Sequence, residues 1–213
     1  MQIAVLLFDH LTALDVVGPY EALSRVPGAT TVFVGERRGP VRTDVGSLAL
    51  TADATLAEVP APDVVLVPGG WGQTRHMADG PLHEWLRAAD AGSTWTTSVC
   101  TGALLLAAAG LLTGRRATTH WLATGQLADW GVEHVAERVV VDGKYVTAAG
   151  VSAGLDMGLL LAGLIAGEDT ARAIQLGLEY DPQPPFAAGS PRTAPAPIVE
   201  LVRSLEGSIL RGE

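Results

Sequence analysis

The chain contains a single cysteine, Cys100, in 213 residues. An intrachain disulfide framework and a four-cysteine zinc site are therefore both excluded. Basic charge is scarce as well. Against 23 Asp and Glu stand 14 Lys and Arg, and the resulting net charge of -9 repels phosphate backbones and anionic membranes. Nucleic acid is not expected as a partner. No apolar stretch reaches the roughly 20 residues a bilayer span needs, and the most apolar later one, Met157 to Ala166, runs into Glu168 and Asp169. The run Ile3 to Phe8 has no basic segment before it and Asp9 directly after it, so it reads as a buried strand and not as a signal peptide. A reducing, cytoplasmic setting is the simplest expectation. A Walker-type loop is missing, as is a G-x-G-x-x-G after the first strand. His10, His76, His83 and His134 lack metal-ligand spacing, so neither a metal nor a cofactor is expected.

What is present points to one sizeable core. Hydrophobic residues make up 48% of the chain and no long polar linker divides it. The expected organisation is one domain over 1–190, with 191–213 forming a C-terminal arm and short helix of the same domain. Short Val-rich runs alternate with Ala/Leu-rich segments of helical period, which predicts an α/β fold with an open, mostly parallel sheet covered by helices on both faces. The strands expected are Ile3 to Phe8, Thr31 to Gly35, Val64 to Val67, Thr94 to Val99 and Val146 to Ala149. The helices expected cover about Leu14 to Arg25, Pro81 to Ala91, Gly102 to Ala109, Trp121 to Trp130, Ala153 to Ile165 and Thr170 to Leu178. An Asp142-Gly143 dipeptide between apolar runs predicts a hairpin near Val139 to Val146. Pro182 to Pro197 reads as an extended arm, followed by a last helix over Ile198 to Leu210.

Ligands of such sheets bind beyond the carboxyl ends of the strands, and three places there carry chemistry. Cys100 joins the run Thr94 to Val99 to a small-residue helix beginning Thr101-Gly102-Ala103, where a nucleophile elbow after a central strand would be built. Helix N-terminal N–H groups favour a thiolate, so a lowered thiol pKa is expected. The competing reading is a small buried hydrophobe. Asp15, in the apolar context Leu14-Asp15-Val16-Val17-Gly18-Pro19, can supply protons or merely cap a helix. Pro68-Gly69-Gly70-Trp71-Gly72 follows the third strand, and its glycines would let backbone donors approach a ligand, unless it is only a tight loop. A thiolate attacking an unsaturated carbon needs donors for the developing charge, for which the N–H groups of Gly70 and Thr101 are candidates. His120 could lie beside the thiol or be a buried structural histidine.

The segments Leu14 to Pro19, Val67-Pro68-Gly69-Gly70, Ser98-Val99-Cys100-Thr101-Gly102-Ala103 and Ala117-Thr118-Thr119-His120-Trp121 together resemble the ThiJ/PfpI superfamily, with its class I glutamine-amidotransferase-like fold. The resemblance spans Gln2 to about Pro191. Its isonitrile (isocyanide) hydratase branch is the nearest in look, through Gly150-Val151-Ser152-Ala153-Gly154-Leu155-Asp156 and Leu178 to Phe186. This resemblance implies a flavodoxin-like sheet, a homodimer, Cys100 as nucleophile and Asp15 as the acid against the sulfur. Other branches generally carry Glu at the Asp15 position. The peptidase-like branch has His after its cysteine, where Thr101 stands here. The implied reaction adds water to an isocyanide through a cysteine thioimidate and yields an N-substituted formamide. Cys100, Asp15 and Thr101 act on the reacting atoms; Gly69, Gly70, Trp71 and His120 face the substrate, and the partner subunit can add Tyr180 or Asp181. Two rival functions are a glyoxalase- or deglycase-like enzyme for small aldehydes and a sensing module in which Cys100 is oxidised or a ligand is bound. The stretch Thr101 to Trp121 also resembles AraC-type N-terminal domains.

Overall fold

The structure, a computed structural model, describes residues 1–213. Strand β1 (Gln2–Leu6) leads through α1 (Ala13–Leu23) to β2 (Thr30–Gly35). An antiparallel pair, β3 (Gly39–Arg42) and β4 (Ala49–Ala52), is followed by the short β5 (Ala54–Thr55). Strand β6 (Val64–Val67) passes through a 3-10 turn, Trp71–His76, into α2 (Pro81–Gly92), and β7 (Trp95–Val99) passes directly into α3 (Gly102–Ala108). Two short strands, β8 (Arg116–Ala117) and β9 (Glu133–His134), flank a 3-10 segment, Thr124–Trp130. The hairpin β10 (Val139–Asp142) and β11 (Tyr145–Ala148) precedes α4 (Ala153–Ala166), α5 (Glu168–Gly177), α6 (Ala196–Ser204) and α7 (Glu206–Arg211).

Seven strands form the main sheet in the order β10-β11-β7-β6-β1-β2-β5, and every neighbouring pair except β10 with β11 is parallel. Strands in the middle of a parallel sheet are covered on both faces and need apolar residues at every position. Val64-Val65-Leu66-Val67 meets that condition, each residue being fully buried. Helices α1, α4 and α5 pack together as one layer, while α2 and α3 form another. This is the flavodoxin-like α/β fold. The chain steps from β1 to β2 on one side and later returns to β6 on the other, so the strand order reverses at β1. The crevice beyond the carboxyl ends of β1 and β6 is where such a sheet holds a ligand.

The expected strands and hairpin are present with ends displaced by one or two residues. Two expectations are corrected, and five short strands are additional. Trp121 to Trp130 is not an α-helix: a turn leads into the 3-10 segment, which a left-handed Gly131 terminates. The last helix is two helices, α6 and α7, because the backbone leaves helical geometry at Leu205 (φ −97°, ψ 7°). That bend lets Leu210 turn into the core while Leu201 and Leu205 stay exposed. The strands β3, β4, β5, β8 and β9 were not expected, being two to four residues long and too short for a period to register.

At the amino ends of β7 and β11, Asp90 ties α2 to both strands. Its carboxylate accepts from Thr96 Oγ1 at 2.7 Å and Tyr145 Oη at 3.1 Å, and lies 3.1 Å from Lys144 Nζ. Asp90→Ala removes the acceptor of the Thr96 and Tyr145 hydroxyls, while Lys144 Nζ keeps the Asp90 main-chain carbonyl, and is expected to cost ~2–4 kcal/mol in urea denaturation. Turnover per folded molecule should be unchanged, since the cluster lies outside the cavity over Cys100.

Candidate active site

Cys100 occupies the step between β7 and α3 with φ +57°, a left-handed conformation that costs a non-glycine residue roughly 1–2 kcal/mol. Its neighbours hold it there. The Cys100 N–H donates to Ala148 O at 3.1 Å, and the Thr119 hydroxyl donates to Cys100 O at 2.8 Å. The turn directs the thiol to the floor of a cavity of about 450 Å³, with only 5% of the residue exposed. Thr101 stands beside the sulfur, where its backbone N–H and hydroxyl favour the charged form, while the hydroxyl also lies 3.5 Å from Gly70 O.

Asp15 reaches the same point from the first turn of α1 and is completely buried. Its Oδ2 accepts the Gly69 N–H at 2.8 Å; its Oδ1 is enclosed with no hydrogen-bond partner, and the Cys100 thiol stands beside the carboxyl. Burial pushes the carboxyl up to about 8, against the lowering effects of the Gly69 N–H and the thiol, and the charge of Asp44 adds to the rise. Burial raises the thiol well above its ordinary value too, followed by the Asp15 charge, and the Thr101 donors offset only part of this. The expectation of a lowered thiol pKa is thereby corrected for the resting site. A helix terminus contributes about 1 kcal/mol, whereas removing a charged sulfur from water costs several. The two groups form a proton-holding pair whose titration belongs to both.

Of the glycines, Gly69 does not line the cavity. Its amide is committed to Asp15, and its carbonyl accepts the Thr12 N–H at 2.9 Å. Gly70 does line the cavity, but its N–H is engaged by Thr101 Oγ1 at 3.0 Å and is not free for a ligand. A Cβ on Gly69 would lie 2.5 Å from Thr101 N, 2.6 Å from Thr101 Oγ1 and 3.0 Å from Asp15 Oδ2. Gly69→Ala must therefore displace the residues on both sides of the sulfur and is expected to lower kcat ~100-fold in steady-state assays.

Trp71 forms a wall of the cavity, stacked on His10 at 3.8 Å between ring centroids, and its indole N–H donates to Asp44 O at 3.3 Å. His120 also lines the cavity. Burial lowers its pKa, its Nδ1 accepts the Leu122 N–H at 3.3 Å, and no hydrogen bond joins it to Cys100 or Asp15. Tyr180 and Asp181 lie outside this subunit's cavity, where the Tyr180 hydroxyl donates to Asp156 Oδ1 at 2.6 Å. Sequence reasoning missed Thr12, Asp44 and Val45, and from the C-terminal end Ser208, Ile209, Leu210 and Gly212, all of which line the cavity. Only the position of Thr12 just before α1, following the first strand, offered a signal. No three His, Cys, Asp or Glu side chains converge anywhere in the chain as metal ligands would.

A flavodoxin-like sheet with a left-handed cysteine at the β7–α3 step, faced by an acid from α1, defines a class of α/β proteins built around a buried thiol–carboxyl pair. The chain belongs to the DJ-1/PfpI family, whose sequence model matches residues 1–163. It is 43% identical to the isonitrile hydratase of Pseudomonas putida over 95% of this chain and 89% of that protein. A crystal structure of a ThiJ/PfpI family protein from Pseudomonas syringae superposes with a TM-score of 0.95 at 37% identity, covering 99% of this chain and 87% of that one. An HTH-type transcriptional regulator of Pseudomonas aeruginosa, CdhR, is 32% identical over 56% of this chain and 35% of its own length. No helix is long and apolar enough to cross a membrane.

Proposed function

We propose that the protein is a cysteine-dependent isonitrile hydratase that converts an isocyanide and water to an N-substituted formamide. The observation that carries this reading is the buried Asp15 carboxyl set against the Cys100 sulfur. An isocyanide receives its nucleophile and its proton on one and the same carbon. Acid and sulfur must then sit side by side, as Asp15 and Cys100 do. In aldehyde chemistry the proton goes to oxygen, one bond removed from the attacked carbon. The 43% identity to an isonitrile hydratase supports the same assignment.

In the first step the thiolate of Cys100 bonds to the terminal carbon while Asp15 delivers a proton to that carbon, giving a thioimidate and a carboxylate. Thr101, beside the sulfur, favours its charged form through its N–H and hydroxyl. In the second step the Asp15 carboxylate removes one proton from water as the hydroxyl adds to the same carbon, which restores the carboxyl, and the remaining hydroxyl proton passes through solvent to the nitrogen as the carbonyl forms. The C–S bond then breaks, releasing the formamide and the thiolate. No electrons leave the substrate, so no redox cofactor enters. Trp71 and His120 act as walls, and Gly69 and Gly70 as positioning residues for Asp15 and Thr101.

The working unit in this reading is a cytoplasmic homodimer. Leu160, Leu164 and Leu176, exposed on α4 and α5, support a second copy as the partner. The test is to incubate purified protein with an alkyl isocyanide in D₂O and follow the product by NMR. A formamide deuterated at the formyl carbon is the expected result. Consumption of small aldehydes with no formamide would replace this reading with the glyoxalase one.

A further inference from the structure

The residues matched by the family's sequence model end at 163, yet one wall of the cavity over Cys100 comes from the far end of the chain. After the bend at Leu205, α7 returns along the Trp71–His76 turn and places Ser208, Ile209, Leu210 and Gly212 on the cavity. Leu210 is buried and joins the main hydrophobic core, whereas Ile209 remains 39% exposed beside the cavity. Gly212 closes α7 in a left-handed conformation, φ +69°, directly against the Trp71 indole. A Cβ at Gly212 would lie 2.7 Å from Trp71 Cδ2. The same indole is stacked on His10, which fixes its plane. The lining is mixed: Cys100, Thr101, Thr12 and Asp44 are polar, while Trp71 and the α7 residues Ile209 and Leu210 are apolar.

We propose that α7 sets which substituents the site accepts, with Ile209 and Leu210 as specificity-determining residues that pack, together with Trp71, against the apolar group carried by the reacting carbon. The accepted class is a compact hydrocarbon substituent, since the whole cavity is about 450 Å³ and Asp44 is the one carboxylate in its lining. The proposal rests on the hydratase reading for the identity of that carbon, but the wall itself can be tested without it.

Alkylation of Cys100 by iodoacetamide and by an N-naphthyl iodoacetamide, followed by mass spectrometry on the full chain, reads the wall through the ratio of bulky to small rates. Ile209→Ala and Leu210→Ala are expected to raise that ratio about tenfold, and Ile209→Trp to lower it by a similar factor. Leu210→Ala also removes core packing and can loosen the fold, which is why the Ile209 pair is decisive. Loss of structure cannot produce opposite shifts from alanine and tryptophan at one position. The same variants should reorder kcat/KM for methyl and cyclohexyl isocyanide in parallel. An alkylation ratio that stays fixed across Ile209→Ala and Ile209→Trp overturns the proposal, whatever the turnover. A ratio that moves as expected while no variant forms formamide upholds the wall and rejects the hydratase reading.

Discussion

Cys100→Ser is expected to lower kcat/KM for isocyanide hydration by ~10⁴-fold or more, leaving a correctly folded protein. The serine hydroxyl fits the site and can keep the Thr101 donors, so packing changes little. Its pKa lies far above that of a thiol, however, and burial raises it further. The only base in reach is Asp15, a carboxyl that already resists ionisation. An alkoxide would have to form in a site that penalises even the softer thiolate. Formamide release, read by NMR or absorbance, measures the loss, and a denaturation midpoint close to that of the parent protein separates it from unfolding. Formamide production by the serine variant at more than a few per cent of the parental rate would remove the sulfur from the mechanism.

Asp15→Asn should lower kcat/KM by ~10²–10⁴-fold, because the carbon loses its proton donor and the attacking water its base. The asparagine carbonyl still accepts the Gly69 N–H, so the geometry on that side is retained. The pH dependence makes the test sharper. With both groups protonated the pair has no thiolate to offer; once one proton leaves, the remaining proton is shared between carboxyl and sulfur. Activity of the parent protein should therefore rise with pH and level off above about 8, the value to which burial lifts Asp15. In the asparagine variant the rise near 8 should be absent.

Stability moves in the opposite sense. Because the folded pKa of Asp15, about 8, lies above its unfolded value, the folded state binds more protons throughout the interval between them. The carboxyl's contribution is complete below pH 4 and is lost as pH rises toward 8. Asp15→Asn has no such dependence. It should be more stable than the parent by ~2 kcal/mol or more at pH 9, since each tenfold difference in proton affinity between the folded and unfolded chain is worth roughly 1.4 kcal/mol. Equal stabilities of the two proteins from pH 5 to pH 9 would mean that Asp15 is not held neutral in the folded state.

Much of this architecture is legible in the amino-acid order. Continuous apolar runs such as Val64 to Val67 announce strands covered on both faces, and the Asp142-Gly143 dipeptide announces the one antiparallel hairpin of the main sheet. Asp15, the Pro68-Gly69-Gly70 segment and Cys100 each follow such a run, which places all three at one end of the sheet. The short strands and the division of the last helix are not legible, because two to four residues carry no period and the bend at Leu205 is set by what Leu210 packs against.

Strand and helix periods, the elbow at Cys100 and the acid after the first strand are local patterns, so the amino-acid order determined them by itself. Tertiary structure alone decided the environment that raises the thiol's pKa, since desolvation and the nearby carboxyl depend on residues 15, 69 and 100 meeting in space. It also turned the glycine amides away from a ligand and toward Asp15 and Thr101, and it carried α7 across to Trp71. Burial and proximity arise only when distant segments close on one another, and no window of the sequence contains both partners of such a contact.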